Sequence, residues 1–219
     1  GFGDILADGV KAAAQRIGRD AEKYAMHIHG QEIPGHHPAA SCHVTTTYLT
    51  DATPARHTQG SEEHHSAGLL PEFNRQSYSG RGLAHKIGVS FQHALMCCGV
   101  CLFVNMTYPH KDLIAEFMRA VTGWDIDTAE LIATGERIAN MRLAFNLREG
   151  VDLAAFRIPE RVICRPPQTE GPLAGVSVDK ETMVKEFLKE MDWDLSTGKP
   201  ARQKLLELDL EDVARTLYP

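Results

Sequence analysis

The chain has 219 residues, of which 43% are hydrophobic and 24% are charged, and its 23 Lys and Arg against 29 Asp and Glu leave a formal net charge of −6. This composition is typical of a globular chain and excludes a disordered, collagen-like or coiled-coil protein. The acidic balance and the scattered Lys and Arg argue against binding to nucleic acid or to a membrane surface. No apolar run approaches the roughly 18 residues of a transmembrane helix and no signal peptide is recognisable, so we expect a soluble protein of the cytoplasm.

The first third of the chain predicts one helix followed by a long irregular region. Apolar periodicity predicts a helix over residues 4–17, with Asp4 as N-cap and Gly18 as its stop. Residues 24–71 are rich in Gly, Pro, His and Thr, and their β-branched run, Val44 to Thr47, is too short to form a sheet alone. Irregular segments of this length are uncommon in compact domains and usually line a functional site.

The rest of the chain has mostly helical periodicity. Helices are predicted over residues 83–97, 110–121, 127–147, 179–191, 200–207 and 209–217, with a Pro- and Gly-rich connector over 157–178. Asp127 and Glu130 form a capping-box pattern at the start of the longest helix, and Gly135 inside it predicts a close approach of another helix. The pattern predicts a mainly α, multi-helical domain with one long irregular loop region.

The densest chemical signal is the segment 96–103 (MCCGVCLF), at the end of a predicted helix. Uneven spacing of the five cysteines does not match a secreted disulfide framework and favours a reducing compartment. Cys98 and Cys101 have the spacing of a metal-binding or redox pair, but a structural zinc or a four-iron cluster normally needs four ligands and the chain has no second such pair. The alternative is that the thiols in this segment are buried packing residues.

Histidine is the second signal, because six of the eleven histidines fall between residues 27 and 57. Histidine is the usual general acid or base near neutral pH and a common metal ligand, so this loop could line a site; solvated loop histidines are the alternative. The chain contains no HExxH, GxSxG, P-loop or GxGxxG pattern, which leaves zincins, α/β-hydrolases, P-loop NTPases and Rossmann dehydrogenases without support from motifs.

Several segments, in register from end to end, resemble one known family. They are residues 3–10 (GDILADGV), 25–35 (AMHIHGQEIPG), 98–103 (CGVCLF), 135–138 (GERI), 145–150 (FNLREG), 158–161 (IPER), 171–172 (GP) and 204–208 (KLLEL). Together they resemble the C-terminal region of the tungsten-containing aldehyde:ferredoxin oxidoreductase family, and the chain is identified as a divergent member and a fragment.

The resemblance implies a fold, cofactors and partners. Residues 1–30 would be the end of the middle helical domain, and residues 31–219 the C-terminal helical domain that contacts the pterin cofactor and the iron–sulfur cluster. A tungsten or molybdenum bis-pterin and a 4Fe-4S cluster would oxidise an aldehyde to a carboxylic acid, with ferredoxin as electron acceptor. The expected partners are the remainder of the parent enzyme, ferredoxin, a small aldehyde or related substrate, and further copies in a homo-oligomer. The fragment alone is expected to be inactive.

The resemblance also assigns roles in the cysteine segment. Three cluster cysteines of such enzymes lie in the N-terminal part, and the fourth lies in a DxxGLC-type motif, on which Cys101 falls. Cys98, Gly99 and Val100 then fall on backbone that touches the pterin. The sequence departs from the family where that motif begins, because Met96 replaces the Asp that would hydrogen-bond the pterin and Met cannot accept such bonds as a carboxylate can.

Two loop residues are carried over as catalytic candidates. Glu32 matches the Glu of the family's G-x-E-[LI]-P pattern, and His57 matches a His near the metal that is a candidate for proton transfer. Thr53 and Pro54 replace the family's Arg-Gly pair, and His37 replaces the Asp of its D-P step. These departures predict a reshaped pocket wall and a substrate that need not be a simple aldehyde.

Two other hypotheses stay open at this point. The chain could be a non-catalytic structural or interaction domain of a relative that has lost its cofactor site, which Met96 and the altered loop favour. It could instead carry a small zinc site made by Cys98, Cys101 and loop histidines.

Overall fold

The structure is a computed structural model that describes residues 1–60, 68–101, 103, 104, 107 and 109–219. Its helices are α1 (Phe2–Ala7), α2 (Gly9–Ile17), α3 (His43–Thr50), α4 (Gly82–Cys97), α5 (Leu113–Thr122), α6 (Thr128–Arg148), α7 (Lys180–Glu190), α8 (Arg202–Glu207) and α9 (Glu211–Leu217). A single antiparallel hairpin in the described residues joins β1 (His27–Ile28) to β2 (Gln31–Glu32). This architecture confirms the mainly α fold class. No helix in the described ranges is long and apolar enough to cross a membrane.

The helix predicted over residues 4–17 is two helices, α1 and α2. Gly9 has φ +90°, in the left-handed region that favours glycine, and this conformation separates the two helices. The Glu32 carboxylate accepts a hydrogen bond from the Val10 N–H at 2.7 Å, and a Cβ on Gly9 would lie 2.9 Å from the same oxygen. The break therefore lets the hairpin dock on the first turn of α2. The end of α2 at Gly18 agrees with the prediction.

The β-branched run in the region predicted to be irregular lies inside helix α3. All residues of α3 except Leu49 are buried, and α3 packs against α7. Val and Thr have low helix propensity, but the burial of nearly the whole helix outweighs that preference. The Thr50 hydroxyl donates to the Thr46 carbonyl at 2.7 Å, so a threonine can be buried there with its hydroxyl paired. Helix α3 ends at a buried carboxylate, Asp51.

Helix α4 passes through both apolar clusters of the described chain. Val89 of α4 belongs to the cluster that contains Tyr48, Leu143 and Phe187, and α4 packs there against α6 and α7. The next turns of α4, with Phe91 and Leu95, belong to a second cluster that includes Ile114 of α5. A Cβ on Gly135 would lie 1.6 Å from the Ser90 carbonyl oxygen, which confirms the predicted close approach of α6 to another helix. The predicted N-cap of α6 is also confirmed, because Asp127 accepts a hydrogen bond from the Glu130 N–H at 2.8 Å. The division at residues 30 and 31 stays a prediction.

Candidate functional site

The middle of α4, from His85 to His93, presents polar side chains to the protein interior. Its buried polar residues are His85, Ser90, Gln92 and His93. Burial of polar groups is unfavourable without partners, so such a row indicates a specified arrangement. His85 Nε2 lies 3.4 Å from the Thr47 hydroxyl, and the same hydroxyl donates to the Gly60 carbonyl at 3.4 Å. Gly60 also lies directly on α4, since a Cβ there would meet a Val89 methyl at 2.5 Å. Helix α4 thus fixes the backbone three residues after His57.

An ion pair between the buried carboxylate of Asp51 and the half-buried guanidinium of Arg142 joins the end of α3 to α6. The Arg142 guanidinium donates from both terminal nitrogens to the Asp51 carboxylate, at 2.7 and 3.0 Å. His93 Nε2 completes the cluster, 3.2 Å from Arg142 Nη1 and 3.5 Å from Asp51 Oδ2. Burial alone would raise the pKa of Asp51, but its hydrogen bonds with His93 and Arg142 hold the pKa below its usual range. Asp51 is therefore an anion at neutral pH, and it is neutralised within the fold.

The same part of α6 holds the loop that leads from α3 to His57. Arg142 Nη2 donates to the Thr53 hydroxyl at 2.9 Å, and the Asn146 side-chain amide donates to the Ala52 carbonyl at 2.6 Å. The Thr53 N–H in turn donates to Asp51 at 2.7 Å. Thr53, one of the departures from the family pattern, thus has a structural partner, and the loop is tethered at three consecutive residues.

His57 begins a short 3-10 turn (His57–Gln59) and its ring stacks on that of His36, with 4.0 Å between centroids and 20° between planes. The Tyr48 hydroxyl fixes the backbone of His36 by donating to its carbonyl at 2.9 Å. Burial raises the pKa of Tyr48, which keeps that hydroxyl a neutral donor. His57 is half-buried and His36 is exposed, so a proton on the pair has a route to solvent.

Glu32 lies on β2 and is exposed, with its carboxylate directed to the first turn of α2. The hydrogen bond from the Val10 N–H lowers the pKa of Glu32, so the carboxylate is ionised at neutral pH. Glu32 and His36 are four positions apart, which limits the span between their Cα atoms to about 14 Å. The structure stacks His57 on His36, whereas the Glu32 carboxylate is bonded to the Val10 N–H of α2. A catalytic role for Glu32 stays a prediction.

The cysteine segment projects from the far end of α4. Cys97 and Cys101 are exposed free thiols, so the alternative that the thiols here are all buried packing residues is wrong for these two. Cys98 is half-buried, with its thiol 3.3 Å from the Ala94 carbonyl and 3.6 Å from the Met118 sulfur, and burial raises the pKa of Cys98. Gly99 has φ +71°, a conformation that favours glycine and that turns the chain after the helix.

The donor set at this end fits one ligand of a shared cluster. In the part of the chain that the structure describes, no group of three or more His, Cys, Asp or Glu is placed to hold a metal ion, and the zinc alternative made by Cys98, Cys101 and loop histidines has no support there. Cys101 offers an accessible, unpaired thiol, which is the ligand type that iron–sulfur clusters take. Met96, five positions before Cys101, is 40% exposed and offers a thioether where a carboxylate was expected.

The cluster of Asp51, His93 and Arg142 is not among the sites predicted from the sequence. Arg142 shares the helical spacing of Leu131, Ile138 and Phe145, so a charged residue stands on a stripe of mostly apolar residues. That position was the available signal, because a charge on such a stripe needs a partner.

Comparisons with known proteins agree with the fold. A family model described as aldehyde ferredoxin oxidoreductase, domains 2 and 3, matches residues 1–210. Tungsten-containing aldehyde ferredoxin oxidoreductases from Pyrococcus abyssi and Pyrococcus furiosus are 30% identical over 217 residues and 28% identical over 221 residues, each covering 97% of this chain and 35% of the relative. The chain therefore spans about a third of the length of these curated relatives. The active site complex BamBC of benzoyl coenzyme A reductase with 1,5-dienoyl-CoA has a similar fold, with TM-score 0.59 and 21% identity over 98% of this chain and 37% of that one.

Proposed function

Since this chain belongs to the aldehyde ferredoxin oxidoreductase family, we propose that it forms the C-terminal part of a tungsten or molybdenum bis-pterin enzyme that oxidises an aldehyde to a carboxylic acid. Relatives named as tungsten-containing enzymes of this kind match nearly the whole chain. The single observation that carries the proposal is the state of Cys101: the cysteine matched to a cluster ligand is an exposed free thiol, at the end of the helix that also fixes the turn after His57. Ferredoxin, the remainder of the enzyme, an aldehyde substrate, a homo-oligomeric state and a cytoplasmic location belong to this proposal.

His57 is the proposed proton-transfer group. Conversion of an aldehyde and water into a carboxylic acid releases an electron pair and protons, and the bis-pterin metal centre supplies the electron acceptor when bound. A ring nitrogen of His57 takes a proton at the substrate side. Because His57 is half-buried and the ring stacked on it, His36, is exposed, water can reach the pair and take up the proton.

Asp51 and Arg142 act as positioning residues for His57. They tether residues 51–53, four to six positions before His57, while Thr47 holds Gly60 three positions after it. Both ends of the turn are therefore fixed to buried helices. A general base works only when it is held within hydrogen-bond reach of its proton, so loss of this tether is expected to weaken catalysis without contact with substrate.

Cys101 would give one thiolate to a 4Fe-4S cluster whose other ligands come from outside these 219 residues. The backbone of residues 98–100 (Cys98, Gly99 and Val100) would lie against the pterin. Gly99 has φ +71°, which favours glycine, and because glycine has no Cβ a ligand can approach its backbone closely. These assignments rest on the family match and stay proposals.

The first test is metal analysis of the full-length enzyme by elemental mass spectrometry, together with an electron paramagnetic resonance spectrum of the reduced protein. We expect tungsten or molybdenum with about four irons, the content of one such cluster. The Cys101→Ser variant should lose iron and the cluster signal, while Cys97→Ser, an exposed thiol in the same segment, should keep both. Full iron occupancy in Cys101→Ser would remove the ligand role.

The second test addresses proton transfer in the holoenzyme. His57→Gln should lower kcat by about 10²-fold or more, the usual loss for a general base, and should remove its limb from the pH profile of kcat. His110→Gln, an exposed histidine beside α5, is the matched control and should leave both unchanged. Wild-type kcat in His57→Gln, at full metal content, would contradict the assignment.

A second candidate function is a non-catalytic domain that has kept the fold without the cofactor. The observation that favours it is Met96, an exposed thioether at the position matched to a pterin-binding carboxylate. A full-length protein free of both iron and tungsten or molybdenum would support this candidate, and stoichiometric metal would exclude it.

A further inference from the structure

A cleft that the proposed function does not use lies along helix α7. Its other walls are the end of α3, the 3-10 turn Leu153–Ala155 with the two residues after it, and the loop 195–198. The cleft has a volume of about 510 Å³. This size lies within the range of small-molecule sites in proteins.

The floor of the cleft is apolar. It is formed by Leu49, Leu153, Phe156, Val184, Leu188 and Leu195. Most of these residues extend the main apolar cluster to the surface, but Leu195 at the mouth is 54% exposed. An apolar floor that continues into an uncovered Leu offers a surface to the hydrocarbon part of a ligand.

The rim of the cleft is cationic, although the whole chain has a net charge of −6. Arg157, Lys180 and Lys185 contribute positive charge. The one carboxylate among the lining residues, Glu181, is bonded to Arg165 at 2.6 and 3.0 Å, which lowers the pKa of Glu181 to about 2. The same carboxylate lies 3.3 Å from Lys180 Nζ, so Lys180 is partly neutralised and Arg157 and Lys185 are the other cations of the rim. Lys185 has no carboxylate within 4 Å among the residues described. The rim therefore has positive charge that the described fold does not neutralise.

The walls of the cleft are held in place before any ligand arrives. Gly198 packs so closely on Leu153 that a Cβ would lie 2.4 Å from a Leu153 methyl. Asp194 stiffens the loop by accepting hydrogen bonds from the N–H groups of Ser196 and Thr197, at 3.0 and 2.8 Å. Arg157 is fixed on the opposite wall, where its guanidinium donates to the Phe156 carbonyl at 2.9 Å and to a second carbonyl one turn back. A preformed cleft loses little ordering free energy on binding.

We propose that this cleft binds a small amphipathic anion, with an apolar chain or ring on the leucine-rich floor and a carboxylate or phosphate head at Lys185 and Lys180. The inference does not rest on the oxidoreductase proposal, because none of its lining residues belongs to the cysteine segment or to the turn of His57. A protein without metal would still be expected to bind such an anion.

The test is isothermal titration calorimetry of the holoenzyme with three probes of equal chain length, which are octanoate, octyl phosphate and 1-octanol. We expect saturable binding of one of the two anions, at least tenfold tighter than 1-octanol. The comparison of octanoate with octyl phosphate identifies the head group. Binding of 1-octanol as tightly as both anions, or no saturable binding to the holoenzyme, would overturn the proposal, and the latter would mean that another part of the enzyme fills the cleft.

Variants locate the binding site. Lys185→Glu should weaken the preferred anion at least tenfold, and Leu195→Asp should weaken both the anion and 1-octanol. Lys189→Glu is the matched control, since it makes the same charge change on an exposed lysine of α7 that does not line the cleft, and it should change affinity by less than twofold. Thermal unfolding of each variant within about 2 °C of the wild type confirms folding. An unchanged affinity in folded Lys185→Glu would overturn the proposal.

Discussion

The two ends of helix α4 differ in how much of their surface other elements of this chain cover. The part of α4 up to His93 packs against α6 and α7, and its His85 and His93 meet side chains of α3 and α6 in the same chain. Beyond the last turn, Val100 is 39% exposed, Phe103 is 68% exposed and the Cys101 thiol is free. The packed part of α4 is thus a core that contains polar groups. The residues after its last turn instead expose apolar side chains and a thiol, as the surface of an interface does. This difference agrees with a chain that spans about a third of its relatives.

The largest effect on stability is expected from a substitution at the contact of α4 and α6. Gly135→Ala places a Cβ 1.6 Å from the Ser90 carbonyl oxygen, and both atoms belong to helices that cannot yield locally. We expect a loss of about 4 kcal/mol or more in the free energy of unfolding, or failure to fold. Thr134→Ala, one residue earlier on α6, should change it by about 0.5 kcal/mol or less. Urea unfolding measures both, and a stable Gly135→Ala protein would show that the helices are farther apart.

The second effect concerns the ion pair that ties α6 to the loop before His57. Arg142→Ala leaves the buried Asp51 carboxylate without its main partner, for which we expect a loss of about 3 kcal/mol. Arg148→Ala removes an exposed pair with Glu149 on the same helix and should cost less than about 1 kcal/mol. Chemical denaturation compares the two variants. Equal losses would mean that the Asp51 cluster is no more coupled to the fold than a surface pair.

The long helices could be predicted because their signals are local. Helices α4 and α6 follow the 3.6-residue spacing of apolar positions, and the cap of α6 lies within four residues of sequence. Helix α3 could not be predicted in this way, since its Thr and Val favour strands and only burial against α7 makes it a helix. The break at Gly9 accompanies the hydrogen bond from Val10 to Glu32, which are 22 positions apart.

The residues of the candidate site also differ in whether a local sequence pattern predicts them. The cysteine segment and His57 could be located by motif, because each motif is contiguous in sequence. The cluster of Asp51 and Arg142 joins residues 91 positions apart, and His93 enters it from a third element. No local pattern encodes such a contact. A cluster at Cys101 would need further ligands beyond these residues, because no group of three or more His, Cys, Asp or Glu in the described part of the chain is placed to hold a metal.

The third prediction concerns how the stability that Asp51 contributes depends on pH. Because its hydrogen bonds hold the pKa of Asp51 below the unfolded value of about 3.9, Asp51 stabilises the folded state above that pH, and its contribution disappears as pH falls through the lower folded pKa. Asp51→Asn cannot show this dependence. We therefore expect the difference in unfolding free energy between wild type and Asp51→Asn to shrink from pH 5 toward pH 2. A difference that stays constant with pH would show that Asp51 is not ionised in the fold.

The smallest effect on stability is expected at the C-terminal end of α4, where the side chains are exposed. Cys97→Ser and Cys101→Ser alter exposed thiols and should each change the free energy of unfolding by about 0.5 kcal/mol or less. In the native chain, a thiol reagent should modify Cys97 and Cys101 quickly and the buried Cys42 and Cys164 only as the protein opens. Mass spectrometry of timed samples measures this order. In the holoenzyme a cluster ligand is protected and a bystander is not, so the proposal requires that Cys101 become slow while Cys97 keeps a faster rate; equal rates for both would leave Cys101 without the role that its position in the family assigns.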